Sequence, residues 1–432
     1  MAWTTLTLKV TTPLFNGGHQ PPKSDTESKR DNARDLPPGD AGVRVSSLRG
    51  TMRYWLRAIA GGKVGNQTDV LAAVESRIFG STKRASTVAL RIPEPQRANH
   101  NRQPDWCRRE GARWIGYLAG QGLSKPDGRN RSELDRAFVA PDTTFRLQLR
   151  FGPDEDAAAL AVAALWSLCR YGGLGARTRR GFGGLRIVDV DGELPAPWTP
   201  EALLAAAAVP SDGLGLDEHG LPPEIAQCGV ALNRIVASAR PEEGASSVAF
   251  EGWRDPPTYP VFGGPSIFKA GLSERTFADW SAVLGYTGEQ FRWFRATETA
   301  VAAGYDPPIK TPEWLRTIHG KDRRFGLGAL GLPINFKGYT VRPVAAKAHG
   351  GKKEPLRRAS PLWLRPVQDT NDQWRLLSFA FLGRFLPDEV KVEVRDRNGE
   401  LEVGTADVVD RSTEWIARLE RDESFVRGAL PR

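Results

Sequence analysis

Residues 5 to 10, Thr-Leu-Thr-Leu-Lys-Val, alternate polar and apolar, so Leu6, Leu8 and Val10 share one face of a half-buried strand that Pro13 ends. From Phe15 to Gly42 neither a helical nor a strand period is present, and the density of Gly, Pro, Asp and Lys predicts an exposed loop. Leu48, Met52, Trp55, Leu56 and Ile59 then recur at helical spacing, which predicts a helix capped by Ser46 or Ser47 and stopped at Gly61-Gly62. Arg49, Arg53 and Arg57 stand four residues apart on that helix and form a basic ridge beside the apolar stripe.

A second helix is predicted over Val70 to Ile78, then a turn from Phe79 to Lys83 and a short strand over Thr87 to Ile92. Residues 93–142 break the pattern. They mix Arg97, Arg102, Arg108, Arg109 and Arg113 with Trp106, Trp114 and Tyr117 and read as a packed insertion with a basic face. Phe145, Leu147, Leu149 and Phe151 alternate with Arg146, Gln148 and Arg150 in a strand; Asp154 to Tyr171 reads as a helix ended by Gly172-Gly173, and Leu185 to Val190 as a last strand. Without the insertion the order is βαββαβ, that of a ferredoxin-like or RRM-like domain with an antiparallel sheet and helices on one face.

After Glu193 the composition turns to Ala, Pro, Asp and Gly, with a short helix predicted over Glu201 to Val209. A linker over 193–223 is therefore expected between a first domain, 1–192, and a second, 224–432. In the second half a helix is predicted over Thr276 to Arg295, a hairpin over Val390 to Val403 turning at Arg397-Asn398-Gly399, and a closing helix over Thr413 to Glu420. Gly326 to Gly331 resembles a shorter version of the glycine-rich segment at 172–184. The two halves thus read as diverged copies, and the expected fold class is α+β, two ferredoxin-like domains with long insertions.

Composition agrees and adds a partner class. A length of 432 residues suits two domains; 40% hydrophobic content with thirteen Trp can build cores, and 45 Gly and 32 Pro imply many loops. The formal net charge of +9 attracts polyanions, nucleic acid foremost. Cys107, Cys169 and Cys228 are odd in number and far apart, which suits neither a disulfide framework nor a zinc site, and a reducing cytoplasm is expected. The N-terminal residues lack a signal-peptide pattern and no apolar run is long enough to span a bilayer, so no membrane partner is expected.

The segment Gly172-Gly-Leu-Gly-Ala-Arg-Thr-Arg-Arg-Gly-Phe-Gly-Gly184 combines two properties of a phosphate-binding loop. Gly173, Gly175, Gly181 and Gly183 allow close backbone approach and positive φ, with amides free to donate, while Arg177, Arg179 and Arg180 supply charge. It follows a helix, so it is neither a Walker A loop nor a Rossmann fingerprint. The alternative is a long turn with solvated arginines.

This loop, closing a βαββαβ unit, resembles the glycine-rich loop of the RAMP superfamily of CRISPR subunits. Thr12-Pro-Leu-Phe-Asn-Gly-Gly18, Ser47-Leu-Arg-Gly-Thr-Met-Arg-Tyr-Trp-Leu-Arg57, Glu75-Ser-Arg-Ile-Phe-Gly-Ser-Thr82 and Gly175 to Gly184 occur in the order found in the first subunit of the type III-B Cmr complex. Leu330-Gly-Leu-Pro-Ile-Asn335 and Arg357-Arg-Ala-Ser-Pro-Leu362 look like that family's second-domain landmarks. The resemblance implies a non-catalytic subunit at the head of a crRNA-guided antiviral assembly. Its partners would be the crRNA 3′ region, target RNA and other Cmr subunits, with no small-molecule substrate, cofactor or metal. Base pairing would read sequence, leaving the protein to hold backbone and shape. The candidate RNA-binding set is Arg49, Arg53, Arg57, Lys83, Arg84, Gly173, Gly175, Arg177, Arg179, Arg180, Gly181 and Gly183.

RAMP kinship also implies an alternative, a metal-independent endoribonuclease that processes crRNA. His19 is the best-placed histidine for it. His100, His219, His319 and His349 lie in polar stretches without an evident partner, and Asp25, Asp35 and Asp40 sit among lysines and arginines as solvated partners. Trp55 lies on the apolar stripe and reads as core, leaving Tyr54 the freer base-stacking candidate. A scaffold whose arginines meet acidic neighbouring subunits is the remaining reading.

Overall fold

The structure is a computed structural model that describes residues 2–17, 42–94, 104–109, 111–120, 122–126, 132–134, 136–217, 220–240, 256–295, 312–336, 338–345, 353–397 and 399–423. The first half contains β1 (Thr4–Val10), α1 (Val45–Val64), α2 (Thr68–Phe79), β2 (Val88–Arg91), α3 (Ala112–Ala119), β3 (Ser124–Pro126), β4 (Ser132–Leu134), β5 (Thr144–Phe151), α4 (Glu155–Arg170) and β6 (Leu185–Asp191). The remainder contains α5 (Pro200–Ala205), α6 (Pro223–Ala226), α7 (Gly229–Ala239), β7 (Phe268–Leu272), α8 (Trp280–Phe294), α9 (Pro312–Ile318), β8 (Ile334–Phe336), β9 (Tyr339–Ala345), β10 (Glu354–Pro355), β11 (Leu362–Gln368), β12 (Trp374–Phe381), β13 (Val390–Val394), β14 (Glu400–Leu401) and α10 (Thr405–Glu420).

In the first half the period-two strands do what their pattern requires. β1 pairs antiparallel with β5, Leu6 opposite Leu147 and Leu8 opposite Phe145, and the sheet runs β2-β5-β1-β6. Their apolar face is covered by α1, α2 and α4, whose side chains join one core with Leu6, Leu8 and Leu147. α4 is buried on every side from Ala157 to Arg170. Its alanines let α1 and α7 pack close to it.

α1 departs from expectation at both ends. It begins at Val45, with Arg44 at the N-cap and no side-chain capping bond from Ser46 or Ser47, and it runs through Gly61-Gly62 to Val64. Gly61 is there for packing: a Cβ on it would stand 2.4 Å from Val261 Cγ1. Gly65, at φ 60°, ends the helix instead.

The second half follows the first only in part. β7, α8, β11, β12 and α10 give βαββα with strand order β11-β12-β7, and no fourth strand joins that sheet among the described residues. The intervening segments form a separate sheet of β8, β9, β10, β13 and β14, which includes the expected hairpin. α10 starts eight residues before the predicted Thr413, because Asp407 accepts from the Gly404 amide at 2.9 Å and anchors the first turn. Gly326 to Leu330 is a 3-10 turn between α9 and β8. It is therefore not the topological counterpart of the 172–184 loop, which follows α4.

The expected linker is tied to both halves. Trp198 is buried and donates to the Ala159 carbonyl at 3.1 Å, Trp166 and Arg170 both donate to Ala206, and Val209 bridges Asp369. Below it the two halves share a core: Trp55 of α1 packs at 5.6 Å from Trp363, which stacks on Phe379 at 5.4 Å. In the described part of the insertion α3 lies against α8, and Trp106 and Trp114 are buried.

Candidate nucleic-acid interface

The 172–184 segment is held by backbone-to-backbone packing. Leu174 donates to Gly183, Ala176 to Phe15 and Gly183 to Pro13, each at 2.8 to 2.9 Å. Gly175, Gly181 and Gly183 have φ of 90°, 88° and 70°, and a Cβ on Gly183 would stand 1.9 Å from the Leu174 carbonyl oxygen. A Cβ on Gly173 would lie 2.8 Å from the Gly183 carbonyl. The expected donation of glycine amides to phosphate is not open to Gly181, Gly183 and Gly184, whose N–H groups bond Thr178, Pro13 and Thr12. The glycines shape the loop; the arginines face outward from it.

Arg177 holds a left-handed backbone, φ 62°, and starts a 3-10 turn over Thr178–Arg180. A non-glycine residue there is strained, and the turn sends Arg179 to Trp363 while Arg177 and Arg180 line one cavity. Arg179 lies 4.8 Å over the Trp363 ring with Nη2 at 3.4 Å from the Tyr54 hydroxyl. Arg180 lies 4.4 Å over Phe291, with Nη2 at 3.5 Å from the Leu330 carbonyl. Two arginines from the second half meet them. Arg295, at the end of α8, donates to the Tyr117 hydroxyl at 3.2 Å, and Arg358 donates to the carbonyls of Thr258 and Arg384.

Arg177, Arg180, Arg295 and Arg358 line a cavity of about 410 Å³ with Tyr117 and Asn335, and among the described residues no carboxylate lines it. Among the described residues none of these four, nor Arg179, is in an ion pair. Arg179 Nε, Arg180 Nη1, Arg295 Nε and Arg358 Nε are buried without a hydrogen-bond partner. Burial, and then the Arg295 charge, push Arg180 down to about 9. Burial and then Arg179 lower Arg358. Burial works against ionisation of the Tyr117 phenol, yet Arg295 and Arg292 bring its pKa below the ordinary value. Cations held together in this way, with unmet donors, favour an anion between them.

The ridge on α1 is divided. Arg53 and Arg57 both bind Glu75, at 2.8 and 3.0 Å, and Arg53 also donates to the carbonyls of Phe79 and Gly80. Glu75 thus offsets part of the charge that Arg53 and Arg57 bring to the expected RNA-binding ridge. Arg49 has no ion pair among the described residues, and its Nε is buried without a partner. Burial raises the Tyr54 phenol while Arg179, Arg358 and Arg57 act against it, so loop and ridge approach one another at Tyr54. Tyr54 itself is half-buried, edge-on to Trp55 at 5.3 Å. Lys83 and Arg84 lie in an exposed turn, and Arg84 acts on Asp154 at the start of α4. The glycine loop leaves the other end of that helix, about 24 Å away at 1.5 Å per residue.

Arg295 and Tyr117 carried no sequence signal that marked them for this cavity. Arg358 and Asn335 did, inside the two second-domain landmarks, which meet as Leu332 bridges Arg358. His319 lines a separate cavity with Asp322 and Arg397. His19, His100, His219, His349, Asp25, Asp35, Asp40, Arg97 and Arg102 lie outside the described residues.

Residues 7–186 match the model of the RAMP superfamily. The CRISPR system Cmr subunit Cmr1-2 of Pyrococcus furiosus is 34% identical over 151 residues, covering 33% of this chain and 81% of that protein. The chain belongs to the RAMP superfamily, among the Cmr1 subunits of type III-B CRISPR systems. A second Cmr1 subunit of that organism, Cmr1-1, is 32% identical over 157 residues, 35% of this chain and 42% of that protein, so the match spans less than half its length. The crystal structure of apo Cmr1 from Pyrococcus furiosus aligns with a TM-score of 0.50 and 21% identity over 96% of this chain and 97% of that one. The mixed α/β fold with antiparallel sheets is thus the fold of Cmr1. Among the described residues no group of three His, Cys, Asp or Glu is placed to hold a metal, and no helix is long and apolar enough to cross a membrane.

Proposed function

We propose that this Cmr1-type chain is an RNA-binding, non-catalytic subunit of a crRNA-guided complex in antiviral defence, holding the crRNA 3′ region and target RNA by their phosphates alongside other Cmr subunits. The observation that carries the reading is the run of five guanidiniums, Arg177, Arg179, Arg180, Arg295 and Arg358, with no carboxylate partner among the described residues. A scaffold surface made for acidic protein neighbours has no need to bury such cations unpaired, whereas phosphates satisfy charge and donors together. The partial βαββα of the second half supports its reading as a diverged second ferredoxin-like domain, with the RNA site at the junction of the two.

The test is single-stranded RNA binding, followed by fluorescence anisotropy across a salt series, for the protein and for Arg177→Glu/Arg179→Glu/Arg180→Glu. The variant is expected to bind at least about thirty-fold more weakly, with a log K against log salt slope shallower by about 2, since each single-strand phosphate contact contributes about 0.7. Unchanged affinity in a variant that still unfolds cooperatively would sink the assignment. Repeat RNA incubated with the protein in EDTA is expected to stay intact, and its cleavage would overturn the non-catalytic reading.

A further inference from the structure

We infer that the cavity between the glycine loop and the second half is a phosphomonoester site that takes the terminal phosphate of an RNA strand. The inference rests on the RNA-binding reading and sharpens it from a backbone surface to a site for one group. Four guanidiniums, Arg177, Arg180, Arg295 and Arg358, converge on about 410 Å³, and among the described residues no carboxylate lines the space. Three of them carry a buried nitrogen with no partner. An internal phosphodiester brings a single negative charge, whereas a terminal phosphate brings close to two at neutral pH and three acceptor oxygens. It answers more of the unmet donors. A cavity of this size has room for about one nucleotide and no helix. The Tyr117 hydroxyl and the Asn335 side chain are neutral groups of the lining that could meet a ribose or the remaining oxygens.

The walls come from three parts of the chain: the loop after α4, the insertion helix α3, and the second half through α8, Leu330–Asn335 and Arg358. An anion seated there therefore ties those parts together, and its binding reads out as stability of the whole chain. Without the anion the four cations repel one another, so removing one charge relieves the unliganded protein rather than unfolding it.

Thermal melts at fixed ionic strength, with inorganic phosphate, 5′-AMP, 3′-AMP or adenosine added to the full chain, test the site directly. Phosphate and both nucleotides are expected to raise the midpoint by several degrees, and adenosine to leave it unmoved. Arg180→Gln and Arg295→Gln are expected to melt no lower than the parent without ligand and to lose the shift. Equal shifts in parent and variants, or none in the parent, overturn the site. A second arm compares twelve-nucleotide RNAs ending in a 5′-phosphate, a 3′-phosphate or only hydroxyls. A phosphate end is expected to tighten binding about ten-fold, an advantage lost in both variants. Equal affinities for all ends overturn the RNA-end ligand. Midpoint shifts with 5′-AMP but no binding of any RNA would uphold the phosphomonoester site, assign it to a free nucleotide and refute the RNA-binding reading.

Discussion

Asp154 accepts from Arg77 Nε at 2.7 Å and from the Ala157 amide at 3.1 Å, joining α2 to the first turn of α4. The Arg77 bond first, and the amide bond with it, hold its pKa below the ordinary 3.8. On acidification the unfolded chain takes up that proton first, so the stability this carboxylate contributes is complete at neutral pH. It is lost as pH falls from about 4 through the lower folded value. Asp154→Ala is expected to cost about 1 to 2 kcal/mol at pH 7 and progressively less below pH 4, measured by urea unfolding at both pH values. Arg180 is the opposite case. It has the same charge as Arg77 but no acid among the described residues to meet it, which is why Arg77 reads as structural and Arg180 as a binding group. Composition and spacing reveal neither role, because each depends on what the fold brings alongside.

At the scale of elements, the glycine loop is the most constrained stretch between α4 and β6. Gly183→Ala would place a methyl against the Leu174 carbonyl at a positive φ and is expected to destabilise by about 2 to 4 kcal/mol in chemical unfolding, with RNA affinity falling as the turn shifts. Gly50→Ala is the contrasting change. That position faces open space within α1, and the variant is expected to gain about 0.5 to 1 kcal/mol with RNA binding unaltered. Both residues are glycines within the family-like motifs, yet one is required by backbone approach and the other is not.

Across the whole molecule the two halves are bound by more than their connection. Trp55, Tyr171 and Phe262 pack with Trp363 and Phe379, and Arg365 of β11 is buried with its guanidinium donating to the carbonyls of Cys169 and Arg170 at the end of α4. Those carbonyls have no partner within the helix, so a residue of the second half completes an element of the first. Residues 1–192 expressed alone are therefore expected to show no cooperative melt, and co-expression with 193–432 to restore one. A cooperative melt of the isolated first half would show that the shared core is dispensable.

Much of the first half was legible as sequence because its signals are local. Alternation in 5–10 and 145–151 sets which strand face is buried, the α1 stripe sets which helix face is buried, and Asp154 marks where α4 starts. Each depends on residues within one or two turns. The passage of α1 through Gly61-Gly62 was decided by a neighbour distant in the chain, Val261 against Gly61, whereas the early start of α10 rests on a local bond, Gly404 to Asp407, that the apolar pattern does not show. The site divides along the same line. Arg177, Arg179 and Arg180 are visible as a cluster in the sequence, but Arg53 and Arg57 are offset by Glu75, and the loop's partners Arg295 and Arg358 arrive from the second half. Whether a cation is paired or left open is a matter of distance in space, and only the tertiary structure sets that distance.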